Sequence, residues 1–154
     1  MLTNNLECVK KNFSNSLIHW YKKNKRDLPW RKTRDPYKIW LSEIILQQTR
    51  IATGLPYYKK FIRKYPNVIV LSQAREEDIL KMWEGLGYYS RCENMYKTSQ
   101  LVNSSLPNNY QDLIKLPGIG DYTAKTILSI AFEKPGDSSV GKIWIISSSM
   151  KTTV

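Results

Sequence analysis

From Leu6 to Lys134 the apolar residues of this chain recur every three or four positions, and alternation at every second position is nearly absent. That spacing lines up one face of an α-helix, whereas a half-buried strand needs a period of two. Leu6, Val9, Phe13, Leu17 and Trp20, with lysines between them, mark a first amphipathic helix. A basic, proline-bearing connector, NKRDLPWRKTRDP, follows it. Asp35 and Pro36 open a second helix, a capping side chain followed by proline at the first helical position. This helix is expected to run to about Ala52, and GLPYYKKFIRKYP restarts a short one that stops at Pro66. LSQAREEDILKMWEGLG offers Ser72 or a polar neighbour as cap, acids in the first turn and a stop at Gly85. Another helix carries Tyr89, Cys92, Tyr96 and Leu101, and two short helices flank LPGIG. The fold class is all-α.

With 154 residues the chain suffices for one modest domain and not for two. Its 24 Lys and Arg against 13 acids give a net charge of +11, which points to an acidic polymer, most plausibly nucleic acid. Cys8 and Cys92 lie far apart and make no C-x-x-C pair, so neither a disulfide framework nor a thiolate metal site is indicated. His19, beside Trp20, is a surface or packing residue rather than a ligand. The amino terminus has no apolar signal core and no run approaches membrane-spanning length, so a cytoplasmic location is expected, nucleoid-associated in a bacterium. Composition shifts near Pro135 into a stretch rich in Ser, Thr and β-branched residues. The expected division is therefore an amino-terminal helix and basic connector at 1–27, a helical domain at 28–134 and a divergent tail at 135–154.

Three stretches carry chemistry. IWLSEIILQQT is almost wholly apolar yet contains Glu43, on the helical face of Ile39, Trp40 and Leu46. A carboxylate there must be paired, exposed at the edge of a cleft, or tuned as an acid, because burying it alone costs several kcal/mol or raises its pKa. In LPGIGDYTAKTI, Gly118 and Gly120 permit a tight turn with positive φ and a close approach of backbone to a ligand. The helix that begins near Asp121, a candidate cap, then presents free N–H groups and its positive end to a phosphate, with Lys125 one turn on. Such a helix-hairpin-helix grips a DNA backbone without reading sequence. In GLGYYSR, Tyr88 and Tyr89 stand beside Arg91 on a glycine-bearing turn, suited to wedging between bases; one tyrosine is expected to be exposed and the other packed.

LPWR, WLSEIILQQT, GLGYYSR and LPGIGDYTA, in this order over about residues 15–134, resemble the adenine DNA glycosylases of base-excision repair, in the helix-hairpin-helix and endonuclease III superfamily. The resemblance implies a six-helix barrel domain, with the hairpin near 110–131. It implies a monofunctional N-glycosylase that removes adenine mispaired with 8-oxoguanine or guanine from double-stranded DNA, acting as a monomer. Glu43 matches the catalytic acid, Gln48 the residue that enters the stack beside the flipped base, and Tyr88 the wedge beside the oxidised guanine. Leu28, Trp30 and Arg31 match parts of the adenine pocket. Tyr122 stands where endonuclease III-type pyrimidine glycosylases carry the Schiff-base lysine, so strand cleavage by that route is excluded.

The chain departs from the pattern in three ways. The family's second carboxylate follows the hairpin in a D-G-N-V-like turn, for which Asp137 in GDSSV is the candidate, on a shorter spacer. The four cysteines of the implied [4Fe–4S] cluster would lie beyond residue 154, and nothing within the chain replaces them, so no cofactor is expected here. The carboxy-terminal domain that checks for 8-oxoguanine is likewise expected to be missing. The chain is thus expected to be a truncated form, with a non-catalytic DNA-binding remnant and an endonuclease III-like pyrimidine glycosylase as alternatives.

Overall fold

The computed structural model describes residues 2–133, so Asp137 and the tail at 135–154 lie outside the described residues. Among the described residues eight α-helices follow one another: α1 Leu2–Asn24, α2 Pro36–Leu46, α3 Ile51–Lys64, α4 Val68–Ser72, α5 Glu76–Trp83, α6 Tyr89–Leu101, α7 Tyr110–Leu113 and α8 Asp121–Ala131. A 3-10 turn, Pro29–Arg31, lies in the connector before α2, and the described residues contain no strand. None of their helices is long and apolar enough to cross a membrane.

The architecture is organised around α2. Tyr37 and every residue from 39 to 46 are buried, and α3, α6, α8 and the 3-10 turn all pack against this helix. A helix apolar on all sides can only be interior, and burying each of its large side chains contributes about 1.5–3 kcal/mol. Asp35 fixes its start, Oδ1 accepting from the Tyr37 N–H at 2.9 Å. The Tyr37 hydroxyl donates to the Tyr65 carbonyl at 2.7 Å, tying the start of α2 to the end of α3. Burial holds that hydroxyl well above the usual phenol range, so it stays a donor. Trp30 meets Tyr58 edge-on at 4.9 Å and Phe61 meets Trp83 in the same way at 5.9 Å, closing the core on both sides of α3. On α1, by contrast, Phe13 and Trp20 are 68% and 53% exposed.

Two boundaries differ from the sequence reading. The second helix stops at Leu46 rather than near Ala52, because Gln48 takes φ 54° and breaks the hydrogen-bond ladder before α3 begins. Ser72 is the last residue of α4, not the cap of α5, which begins after Arg75 with Glu76, Glu77 and Asp78 in its first turn. A five-residue helix such as α4 is too short to show a period, but Asn67 caps it, accepting from the Val70 N–H at 2.9 Å.

Candidate functional site

Glu43 lies in the last turn and a half of α2 and is only 9% exposed, surrounded by the buried side chains of that helix. Its backbone carbonyl accepts from the Gln47 N–H at 3.1 Å, the last regular bond of the helix. The chain then turns sharply, leaving Gln48 exposed in a left-handed backbone conformation. A second left-handed residue is Tyr88, at φ 47°, which stands at the start of α6 with its side chain 64% exposed. Tyr89 is 44% exposed, so both tyrosines face outward, and the expectation that one would be packed does not hold. Leu86 fills the core position instead.

Arg91 joins these two turns. The two N–H groups of Nη1 are shared among four acceptors, the carbonyls of Ile44 at 3.0 Å, Ile45 at 3.1 Å and Gln47, and Thr49 Oγ1 at 3.3 Å. Nη2 donates to the Gly87 carbonyl at 3.2 Å and reaches that of Leu86 at 3.5 Å. The final carbonyls of a helix lack intrahelical partners and carry its negative end, so a cation placed there satisfies both demands. The guanidinium lies over the rings of Trp83 at 5.2 Å and Tyr88 at 5.5 Å. Burial lowers its pKa, and Tyr88 and Cys92 oppose that shift. Nothing in the GLGYYSR pattern alone gives Arg91 this structural role. One signal was available: Arg91 is the third residue of α6, and a cation in a first turn opposes the helix dipole unless something elsewhere holds it.

The hairpin between α7 and α8 is built differently. Gly118 has φ +76°, and a Cβ there would come within 3.0 Å of Asn94 Cβ on α6, so the residue is needed both for its conformation and for its fit. The Thr98 hydroxyl donates to the Pro117 carbonyl at 2.8 Å and fastens the turn to the same helix. Gly120 has φ −88°, not the positive value expected; a Cβ there would meet nothing within 4 Å. It is the residue before α8 and makes no side-chain cap, so the first turn of α8 offers its N–H groups across an unobstructed backbone. Asp121 is therefore the first residue of the helix and not its cap. Its carboxylate accepts from the Tyr110 hydroxyl at 2.7 Å and from Lys125 Nζ at 2.9 Å. The Tyr110 bond, then Lys125, holds its carboxyl below the usual range, and the same bond raises the Tyr110 hydroxyl. Lys125 thus lies at the hairpin as expected, partly neutralised by Asp121.

Of the remaining candidates, Leu28 and Trp30 are buried in the core cluster on the turn that packs against α2. Arg31 is half-buried, its guanidinium 5.7 Å over the Tyr21 ring. Tyr122 is exposed at the start of α8. Arg91 thus ties the turns of Gln48 and Tyr88 to the end of the helix that carries Glu43, while the hairpin forms a separate feature joined to them by α6 and by the packing of α8 on α2.

These elements match a known assembly. Residues 41–145 match the model of the HhH-GPD superfamily base excision DNA repair proteins. The chain belongs to that superfamily. An adenine DNA glycosylase of Buchnera aphidicola subsp. Schizaphis graminum is 47% identical over 126 residues, which are 79% of this chain and 36% of that relative. The chain therefore spans about a third of the length of this curated relative. Among solved structures, a thermostable thymine-DNA glycosylase superposes with a TM-score of 0.72 at 30% identity, over 80% of this chain and 59% of the other. A trapped endonuclease III–DNA covalent intermediate superposes at 0.67 and 20% identity, over 91% and 75%, which bears on the fold alone. The all-helical HhH-GPD fold expected from the motifs is the fold observed. The iron–sulfur cluster implied by the resemblance does not fit the described residues. Cys92 sits in the core with its thiol pushed up to about 12 by burial, and no group of three or more His, Cys, Asp or Glu is placed to hold a metal.

Proposed function

We propose that this chain is the amino-terminal part of an adenine DNA glycosylase, removing adenine mispaired with 8-oxoguanine or guanine in double-stranded DNA. The observation that carries the reading is Glu43, buried in an apolar helix whose end leads directly into an exposed Gln48. The target base lies inside the stack, so it must be flipped out before its bond can be reached. Gln48 enters the gap beside it and Tyr88 wedges at the opposite base. Adenine is a poor leaving group as an anion; Glu43 in its protonated form donates to the departing ring as the bond between the sugar carbon and nitrogen breaks. The electrons of that bond leave with adenine, and the sugar becomes an oxocarbenium ion. Water attacks this cation and gives up a proton, so the products are free adenine and an abasic sugar. A second carboxylate near the sugar stabilises the cation, and Asp137 is its candidate. Tyr122 in place of an amine leaves the strand uncut. The hairpin holds the backbone through the N–H groups of α8, with Lys125 beside them. The reading takes a monomer and no cofactor within these residues.

A single-turnover assay on a duplex with adenine opposite 8-oxoguanine tests the proposal, alkali revealing abasic sites. The expected result is cleavage that falls about 100-fold or more in Glu43→Gln while binding persists. Salt-sensitive binding with no cleavage would overturn the catalytic reading in favour of a DNA-binding module.

A further inference from the structure

The geometry points to Arg91 as a positioning residue that locks the turn bearing Gln48 and the turn bearing Tyr88 into one unit. The inference rests on the reading of Gln48 and Tyr88 as residues that enter the base stack. Its structural half stands on the bonds alone.

Gln48 and Tyr88 are two described non-glycine residues that hold positive φ beside solvent, and each turn is bonded to the same guanidinium. On one side the acceptors are the Gln47 carbonyl and Thr49 Oγ1, the immediate neighbours of Gln48. On the other side they are the carbonyls of Gly87 and Leu86, the two residues before Tyr88. The Trp83 indole donates to the same Gly87 carbonyl at 2.9 Å while its ring lies under the guanidinium. Neither turn supplies a cap of its own: no side chain caps α3 after Arg50, and none caps α6. A left-handed conformation is costly without glycine, so each turn depends on what holds it from outside. The planar fork serves one turn with Nη1 and the other with Nη2; a lysine gathers its three donors on a single nitrogen and lacks that fixed spread. Since Nη1 also grips the last carbonyls of α2, the two wedge residues keep a fixed relation to the helix that carries Glu43. Displacements of about 1 Å in such a constellation cost about 100-fold in rate.

The test reads amide hydrogen exchange in the intact chain, wild type against Arg91→Lys, and then base opening by fluorescence of a 2-aminopurine placed beside adenine opposite 8-oxoguanine. The expected result is about tenfold faster exchange at both 47–49 and 86–88 in Arg91→Lys, with α3 and α8 unchanged, and about tenfold weaker opening at equal duplex binding. Exchange that rises in one turn only, or in neither, overturns the inference. If Arg91→Lys loses its helical far-UV signal, Thr49→Val carries the same test: about threefold faster exchange in both turns supports the coupling, and a change confined to 47–49 overturns it. A wild-type chain that binds duplex without opening it overturns the glycosylase reading, and the exchange result still judges the clamp.

Discussion

Left-handed backbone at the hairpin and at Gln48 and Tyr88 is held by different means. At the hairpin the residue is Gly118, which adopts φ +76° without steric penalty, and the neighbouring bonds are short-range, from Lys125 to Asp121 and from Tyr110 to Asp121. Around Glu43 the residues are Gln48 and Tyr88, whose strain costs about 1–2 kcal/mol each, and what offsets it is a cation 43 and 3 positions away in sequence. A hydrogen bond from a charged donor contributes about 1.5–3 kcal/mol, so one bond to each turn is enough to offset its strain. A backbone grip that reads no sequence can be made of glycine and amides. A side chain that must enter the stack cannot be glycine, and its backbone has to be held by something else.

Substitutions can sharpen or break this contrast. Arg91→Ala should have the largest effect on stability, about 3 kcal/mol by urea denaturation, because it strips the donors from the end of α2 and from both turns at once. A loss no greater than that of an ordinary surface substitution would remove the clamp from the account. Gly118→Ala should cost about 1–2 kcal/mol, since it places a Cβ in left-handed backbone and against Asn94. Finding it neutral in the same denaturation series would mean the hairpin does not depend on its glycine. Gln48→Gly goes the other way: relief of about 1–2 kcal/mol less a glycine entropy cost of about 0.5–1 leaves a gain of about 0.5 kcal/mol. That variant should be more stable and less able to open the duplex, a trade that a melting curve and the 2-aminopurine signal check together.

The smallest effects belong to Asp121. Its carboxyl lies below the ordinary range in the fold, so its contribution is fully present at neutral pH and is lost as pH falls through the folded value. An NMR titration of Asp121 should show that depressed midpoint, and Tyr110→Phe should move it upward by removing its largest cause. Asp121→Asn should also release Lys125 from its neutralising partner, raising duplex affinity about threefold and steepening the salt dependence. An unchanged salt slope would place Lys125 away from the phosphates.

The helices that carry the site were legible wherever the information was local. The spacing of its apolar residues marked the run of α2 as a helix, Asp35 and Pro36 fixed its first turn, and the acids of α5 marked its start. The carboxylate at Glu43 stood out because it interrupts that run. Legibility ended where a distant residue decides: continued apolar spacing from Leu46 to Ile51 carried the second helix too far, since nothing in those residues reports that Arg91 will seize the carbonyls. The same applies to Tyr88 and Tyr89. Their pattern suits either packing or exposure, and it is Leu86 that occupies the core.

By itself, then, the sequence determined the helical class, the start of α2, the glycine turn of the hairpin and the one carboxylate set among the apolar residues of α2, because periodicity, caps and glycines act within a few residues of themselves. Only the tertiary structure decided where α2 ends, which side chains stand out to solvent and which cation ties their two turns together. Those outcomes depend on a guanidinium that satisfies carbonyls from two separate segments, and a contact across more than forty residues leaves no period in the chain.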